Sequence, residues 1–459
     1  MISKNKFQFR SLINRSSKEV FDWHLRNRML ERSIPPYEKI TIISSNARPN
    51  QIGSKIILRT KFLGLILTTT SLEYTDFISN ESFTKIAKEG LLKKLQHKTL
   101  ITPQNNHTCE VIDCFVFSHD WCFFNLLINY SLQKRIARIL RYKHNLINHD
   151  IGIIKKYPFE KPLKVLISGS HGLIGKNLAY FLEFLGHDVW YLTRLKSKEK
   201  KTIFWNDKTG ESNLRSFEGF DIIVHLAGEN IGKGRWTKKK KNRILKSRCE
   251  GTKNLVEIVK KLEKPPKVFI SASAIGYYGN CGNDIVNENS PPGKNLFISK
   301  VCQEWEESSK GLEEKGIRVV WARFGVVLSS AGGALRKMLI PFRWGLGGKL
   351  GNGHQYVSWI AINDAIGSIY HIMMTPSLEG AVNIVAPHPV PNDILTKKLS
   401  KRLNRWRGIP TPEFILRLLF GQKGEELLLT SIRAEPYRLI ESGYHFCYPE
   451  LSQALKHVV

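Results

Sequence analysis

The stretch Gly169-Ser170-His171-Gly172-Leu173-Ile174-Gly175 is the part of this chain best suited to hold a diphosphate. It follows a short apolar run, Lys164 to Ser168, and opens a helix-period stretch, Leu173 to Leu185. In that setting Gly169 permits a tight turn, Gly172 lets the backbone approach a pyrophosphate, and Gly175 lets the helix pack closely on the strand. The N–H groups of Ser170, Leu173 and Ile174 then face the anion at the start of the helix. The first two glycines stand one residue further apart than in the G-x-G-x-x-G fingerprint, so the turn is a variant of it. A ligand-free glycine turn has the same local sequence. The strand, helix and second strand around this one favour the dinucleotide.

The second strand selects the nucleotide. An NAD-preferring site places Asp or Glu about 20 residues on, against the ribose 2′-OH. Here Val189-Trp190-Tyr191-Leu192 ends in Thr193-Arg194, with a guanidinium and no carboxylate. Arg194 can pair with a 2′-phosphate and Thr193 can add a hydroxyl, so the expected cofactor is NADP(H). The plain alternative for Arg194 is an exposed arginine in a basic chain. Further on, the small residues of His225-Leu226-Ala227-Gly228 would let a cofactor lie across the carboxyl edge of the sheet.

These segments sit in a chain of 459 residues, 42% hydrophobic and 24% charged, which excludes disorder and collagen and suggests two or three domains. The net charge is 70 − 40 = +30. Charge of this size permits nonspecific contact with nucleic acid or anionic lipid, and equally describes a lysine-coated surface. The basic segment Arg235 to Arg248 has a single aromatic, Trp236, and reads as a solvated helix beside the cofactor cleft, not as a specific nucleic-acid site. The seven cysteines form no C-x-x-C pair, so no zinc or redox motif is signalled, and free thiols suit a reducing compartment. Met1 to Arg10 does not read as a secretory signal. The apolar runs Phe62 to Leu67 and Phe414 to Phe420 fall short of the ~18 residues of a membrane span. The expected location is cytoplasmic.

Two rhythms divide the chain. Residues 1 to 150 read as α+β. Phe7 to Ile13 alternates as a strand, Ser16 and Ser17 are N-cap candidates for a helix over Lys18 to Asn27, and Pro35-Pro36 stops helix. Strands follow at Ile40 to Ile43, Ser54 to Phe62, Leu63 to Tyr74 and Thr108 to Ser118, then an amphipathic helix at Leu126 to Tyr142. Such an order suggests a curved sheet gripping a helix. Residues 151 to 163, with Pro158 and Pro162, read as a linker. Beyond it, strands at Lys164 to Ser168, Val189 to Thr193, Asp221 to Leu226, Val268 to Ser271 and Arg318 to Ala322 alternate with helices, which predicts a doubly wound parallel sheet, α/β.

The strings KVLISGSHGLIG (164–175), HLAGENI (225–231), SASAIGYYG (271–279) and RFGVVLSSAGGALRKMLIPFRWGLGGKLGNGHQYVSWIAIND (323–364) resemble the extended short-chain dehydrogenase/reductase superfamily. More narrowly, they resemble its atypical sugar-nucleotide-epimerase-like branch, sometimes labelled a cell-division inhibitor family. The resemblance covers nearly all of residues 164 to 459, with 164–385 as the NADP-binding domain and 386–459 completing the substrate side. Residues 1 to 150 resemble a START-like, polyketide-cyclase-type domain, which implies an apolar ligand held between sheet and helix, or a filled core with an assembly role. The resemblance also implies that Leu226 and Ala227 lie against the cofactor, with Arg248 and the Val327 backbone as further contacts.

By the same resemblance, a Ser, a Tyr and a Lys would move the proton while hydride passes to or from nicotinamide, on a small and possibly nucleotide-linked substrate. Ser273 stands where the Ser belongs and Lys300 where the Lys belongs, but the residue four before Lys300 is Leu296. Tyr277, or its neighbour Tyr278, is left as the substitute phenol, and both also read as aromatics packing a turn. Without that tyrosine the implied alternative is a catalytically degenerate NADP-binding sensor or scaffold. Ala361 replaces a histidine usual in the relatives, and His354 is a further pocket candidate.

Overall fold

The computed structural model describes residues 5–46, 48–62, 66–90, 93–118, 125–195 and 200–459. Cys122 and part of the run Phe62 to Leu67 lie outside them. The chain divides into two compact units, Met1–Glu160 with Phe184–Gly186, and Lys161–Glu183 with His187–Val459.

The first unit begins with strand β1 (Asn5–Ile13) and helix α1 (Ser17–Leu25). A capping box starts α1: the Glu19 N–H donates to Ser16 Oγ (3.4 Å) and the Ser16 N–H donates to Glu19 Oε2 (3.0 Å). After α2 (Met29–Ser33) come β2 (Ile40–Ser45), β3 (Lys55–Phe62), β4 (Ile66–Ile78), β5 (Ser82–Glu89), β6 (Lys93–Asn105), β7 (Thr108–Ser118) and the 32-residue helix α3 (Asn125–Lys156). The strands form one antiparallel sheet in the order β1-β7-β6-β5-β4-β3-β2. Two expectations change. The helix runs fourteen residues past Tyr142, so its last residues take up the start of the expected linker. The strands β5 and β6 were not foreseen. In both places polar side chains face inward. Asp150 on α3, for example, is fully buried and accepts from Trp23 Nε1 (3.1 Å) and Arg32 Nε (2.8 Å).

The second unit is built on β8 (Lys164–Ser168), α4 (Leu173–Leu185), β9 (Asp188–Thr193), β10 (Thr202–Phe204), β11 (Ile222–His225), α5 (Lys238–Lys260), β12 (Val268–Ala274), β13 (Ile285–Val286), α6 (Phe297–Glu307), β14 (Arg318–Phe324), β15 (Val326–Leu328), α7 (Gly333–Arg343), β16 (Tyr356–Val357), β17 (Trp359–Ala361), α8 (Ile362–Met374) and β18 (Gly380–Ile384). Seven strands form a parallel sheet in the order β10-β9-β8-β11-β12-β14-β18. The order reverses at β8, whose two neighbours are β9 and β11, and ligands of such sheets bind at that reversal beyond the carboxyl ends of the strands. Leu166, Leu192, Ile223 and Phe269 from the strands pack with Leu255 and Val259 of α5 on one face. The C-terminal region folds back on the unit: Arg433–Ala434 pairs with β13, and Glu426 accepts the Phe297 (3.1 Å) and Ile298 (2.9 Å) N–H groups at the start of α6.

Candidate functional site

At the reversal the polypeptide is drawn into a tight cradle. Gly169 has φ +70°, and a Cβ there would stand 2.8 Å from the Leu226 carbonyl carbon and 2.9 Å from the Ala227 nitrogen. Only glycine lets the turn after β8 lie so close to the segment after β11. Gly175 is as constrained, because a Cβ would strike the Gly169 carbonyl oxygen. The Gly172 N–H closes the turn on Gly169 O (2.9 Å), and Lys176 N–H donates to Gly172 O (3.0 Å). Ser168 fixes the opposite wall: its Oγ accepts from the Leu226 (3.0 Å) and Ala227 (3.2 Å) N–H groups and lies 2.8 Å from His225 Nδ1. Burial depresses the His225 imidazole to about 4, so this strut is neutral at pH 7.

The other expected cofactor residues occupy the same carboxyl edge. Thr193 ends β9, and its hydroxyl donates to Leu195 O (2.7 Å). Arg194 follows with a side chain 74% exposed, 3.6 Å from Asp207 Oδ2. The Arg248 guanidinium donates to Glu229 O (3.0 Å) and lies over the Trp305 ring at 4.8 Å. A Cβ on Gly228 would approach this guanidinium to 3.3 Å. Val327 lies on β15, opposite Ile360. In the basic segment, Thr237 caps α5 and buried Lys240 pairs with Glu229, so part of that charge is spent within the fold.

The expected catalytic set is separated. Ser273, Arg323 and Asn383 lie side by side in register on β12, β14 and β18. Ser273 is buried and donates to Glu306 Oε1 (2.6 Å) on α6. Arg323 donates to both oxygens of Glu306 (2.8 Å each) and to Tyr278 Oη (2.9 Å), which donates to Asn383 Oδ1 (2.8 Å). Burial opposes the charge on Arg323, yet the bonds and charge of Glu306 outweigh it and raise the guanidinium above its ordinary value. Burial pushes the Tyr278 phenol up to about 12, against the pull of Arg323. Tyr277 is half-buried, its ring 3.5 Å beneath the Arg323 guanidinium carbon. Lys300 is not part of this cluster: its side chain is 73% exposed and pairs with Glu304 at 3.7 Å, one turn along α6. Ala361 is buried at the start of α8, while His354 lines an open pocket of about 930 Å³ with Lys349, Tyr356, Arg407 and Arg433.

This sheet and turn define a doubly wound fold of the dinucleotide-binding class. Residues 165–385 match the model of the NAD dependent epimerase/dehydratase family, and 411–458 match a domain of unknown function. "Epimerase family protein Mb2239" of Mycobacterium bovis is 36% identical over 291 residues, 63% of this chain and 96% of its own length. The chain belongs to this epimerase family. Among solved structures, the nucleoside-diphosphate sugar epimerase of Corynebacterium glutamicum is 27% identical with a TM-score of 0.80, covering 98% of this chain and 90% of its own. Human epimerase family protein SDR39U1, solved with NADPH, is 34% identical with a TM-score of 0.60, covering 64% of this chain and 99% of its own. Among the described residues, no helix is long and apolar enough to cross a membrane.

Proposed function

We propose that this chain binds NADP(H) at the Gly169–Gly175 turn and acts as an oxidoreductase or epimerase on a small, nucleotide-linked substrate. The observation that carries the nucleotide reading is the turn itself, packed so closely on the segment at 226–227 that a Cβ on Gly169, which has positive φ, would stand 2.8 Å from the Leu226 carbonyl. Arg194 at the end of β9, with no carboxylate beside it on that strand, favours the 2′-phosphorylated form. A relative solved with NADPH and another described as a nucleoside-diphosphate sugar epimerase support the same reading. When bound, the nicotinamide would supply hydride transfer; Gly169, Ser170, Gly172, Leu173, Ile174 and Gly175 would hold the diphosphate, and Thr193 with Arg194 the adenosine end. Leu226, Ala227, Gly228, Arg248 and Val327 would line the remainder.

For proton transfer, Tyr277 is the better phenol. Tyr278 is spent on Arg323 and Asn383, whereas Tyr277 is half-buried with a cation over its ring. Ser273 would bind the reacting oxygen. A second reading has a specific observation behind it: the Ser273 hydroxyl is already donated to Glu306, and Lys300 is exposed, which suits an NADP-binding sensor without turnover. Assay of NADPH turnover with a panel of UDP-, dTDP- and GDP-sugars, repeated with Ser273→Ala, separates the two. Turnover lost in the variant supports catalysis. Tight NADPH uptake with no turnover supports the sensor. No uptake of either pyridine nucleotide rejects both.

A further inference from the structure

The inner face of the antiparallel sheet in the first unit is polar where such a layer is ordinarily apolar. Register sets Tyr74 opposite Lys85, Lys85 opposite His97 and His97 opposite Phe115, across β4, β5, β6 and β7. Thr99 and Asp113 are opposed one pleat further on. Asp113 is fully buried and accepts from His97 Nε2 (2.6 Å), Thr99 Oγ1 (2.7 Å), His144 Nε2 (2.8 Å) and Lys143 Nζ (3.2 Å). Burial would raise its carboxyl, but the charge of Lys143 and the bonds from His144 and His97 outweigh that and hold it well below the usual range. Burial also depresses His97 to about 4 and lowers His144 and His24, so the imidazoles are neutral at pH 7.

Asp113 therefore balances only one of two lysines. Lys85 is lowered by burial to about 8, still mostly protonated at pH 7, and has no hydrogen-bonded acceptor among the described residues. Its ammonium lies 5.5 Å from the centroid of the Tyr74 ring. The Tyr74 hydroxyl is buried without a partner. His24 Nδ1 lies 2.8 Å from Val20 O and so carries the proton there, which leaves the lone pair on Nε2 buried and unpartnered as well. Each such group is destabilising if nothing meets it. Beside them, Phe7, Phe9, Phe115 and Leu95 are only half-buried, although Phe9 contacts His144 of α3, and Phe115 stacks on His97 and packs, like Ile136 of the same helix, against Phe117 and Leu132. One unbalanced cation, two unmet polar atoms and an incompletely covered aromatic wall occur together.

We propose that this inner face binds a small organic carboxylate with an apolar body, its carboxylate taken by Lys85 Nζ and the Tyr74 hydroxyl and its body laid on Phe7, Phe9 and Phe115. A monoanion cancels the excess charge, whereas a phosphate dianion overshoots it and a neutral apolar ligand leaves Lys85 unmet. The His24 Nε2 lone pair suits a hydroxyl on the same ligand. The proposal involves only the first unit and stands apart from the nucleotide reading.

The test is calorimetry on the full chain with two acids, octanoate and 4-phenylbutyrate, each against its alcohol, 1-octanol and 4-phenylbutanol. At least one acid should bind ten-fold or more tighter than its alcohol. Lys85→Gln should abolish that gap and Lys85→Arg should keep it, with NADPH uptake unchanged in both. Tyr74→Phe, which retains the ring, should weaken acid binding several-fold and carries the test if Lys85→Gln does not fold. The proposal fails if neither acid binds, if acid and alcohol bind alike, or if acid binding survives both Lys85→Gln and Tyr74→Phe.

Discussion

Replacing Arg194 by alanine should convert a nucleotide preference into near indifference. The side chain is 74% exposed at the end of β9, and its recorded ion-pair partner, Asp207, is 3.6 Å away in water-accessible surroundings. A charge-assisted contact from such a guanidinium to a 2′-phosphate is worth about 1.5–3 kcal/mol net. At about 1.4 kcal/mol per decade this is roughly a 10- to 150-fold loss of NADPH affinity. NADH has no 2′-phosphate and should lose little. Asp207→Asn removes a competing carboxylate and should tighten NADPH a few-fold. Because the site is open to solvent, raising salt from about 0.15 M toward 1 M, where the Debye length falls from ~8 to ~3 Å, should shrink the wild-type preference. Titration calorimetry with both nucleotides measures all three. Equal losses for NADPH and NADH in Arg194→Ala would refute the role given to this residue.

Gly169→Ala places a side chain at positive φ and against the Leu226 carbonyl, so it should cost at least the ~1–2 kcal/mol of a left-handed residue and weaken both nucleotides; unchanged binding would show that the turn does not contact them. Glu306→Ala leaves Arg323 buried without its carboxylate and should lower stability by about 3–5 kcal/mol in urea titration, while Lys300→Ala should stay within about 0.5 kcal/mol. Burial lowers His187 and His225 to about 4 from an unfolded value near 6.5, so the unfolded chain binds more protons between those values. Their contribution is present above pH 6.5 and is lost as pH falls toward 4, about 2 kcal/mol each at pH 5; urea midpoints of the second unit that do not move between pH 7 and 5 would contradict it.

The nucleotide half of the fold was legible because its signals are local. The apolar run before Gly169, the glycines and the helix-period stretch after them lie within some twenty residues, and the helix Leu173–Leu185 falls where its pattern places it. The first unit was less legible for a physical reason. Strands β5 and β6 point half-buried Lys85 and His97 inward, and α3 points buried Lys143, His144 and Asp150 inward, so the apolar alternation that marks a buried face is broken. Asp113, which meets Lys143 and His144, and Arg32, which meets Asp150, are supplied from 30 and more residues away. Glu306 was missed in the same manner. It sits on α6 with an ordinary neighbourhood, and only the parallel register of Ser273 with Arg323 reveals that it joins them.

That register also constrains what Ser273 can do. A hydroxyl has one proton, and here it goes to Glu306, whose other bonds come from the buried Arg323 guanidinium. Ser273 Oγ is left with lone pairs only, so in this arrangement it can accept from a substrate hydroxyl and cannot donate to a substrate carbonyl. A lysine-activated tyrosine would ordinarily share the reacting oxygen with such a serine, yet Lys300 is turned to solvent and position 296 is leucine. The positive charge near the candidate phenol comes instead from Arg323, over the Tyr277 ring, and it is fixed by the same carboxylate that holds Ser273. Polarity of the serine and charge on the arginine are thus set together by Glu306. Any chemistry at this edge of the sheet, or its absence, follows from that one buried carboxylate more than from the residues the family pattern would single out.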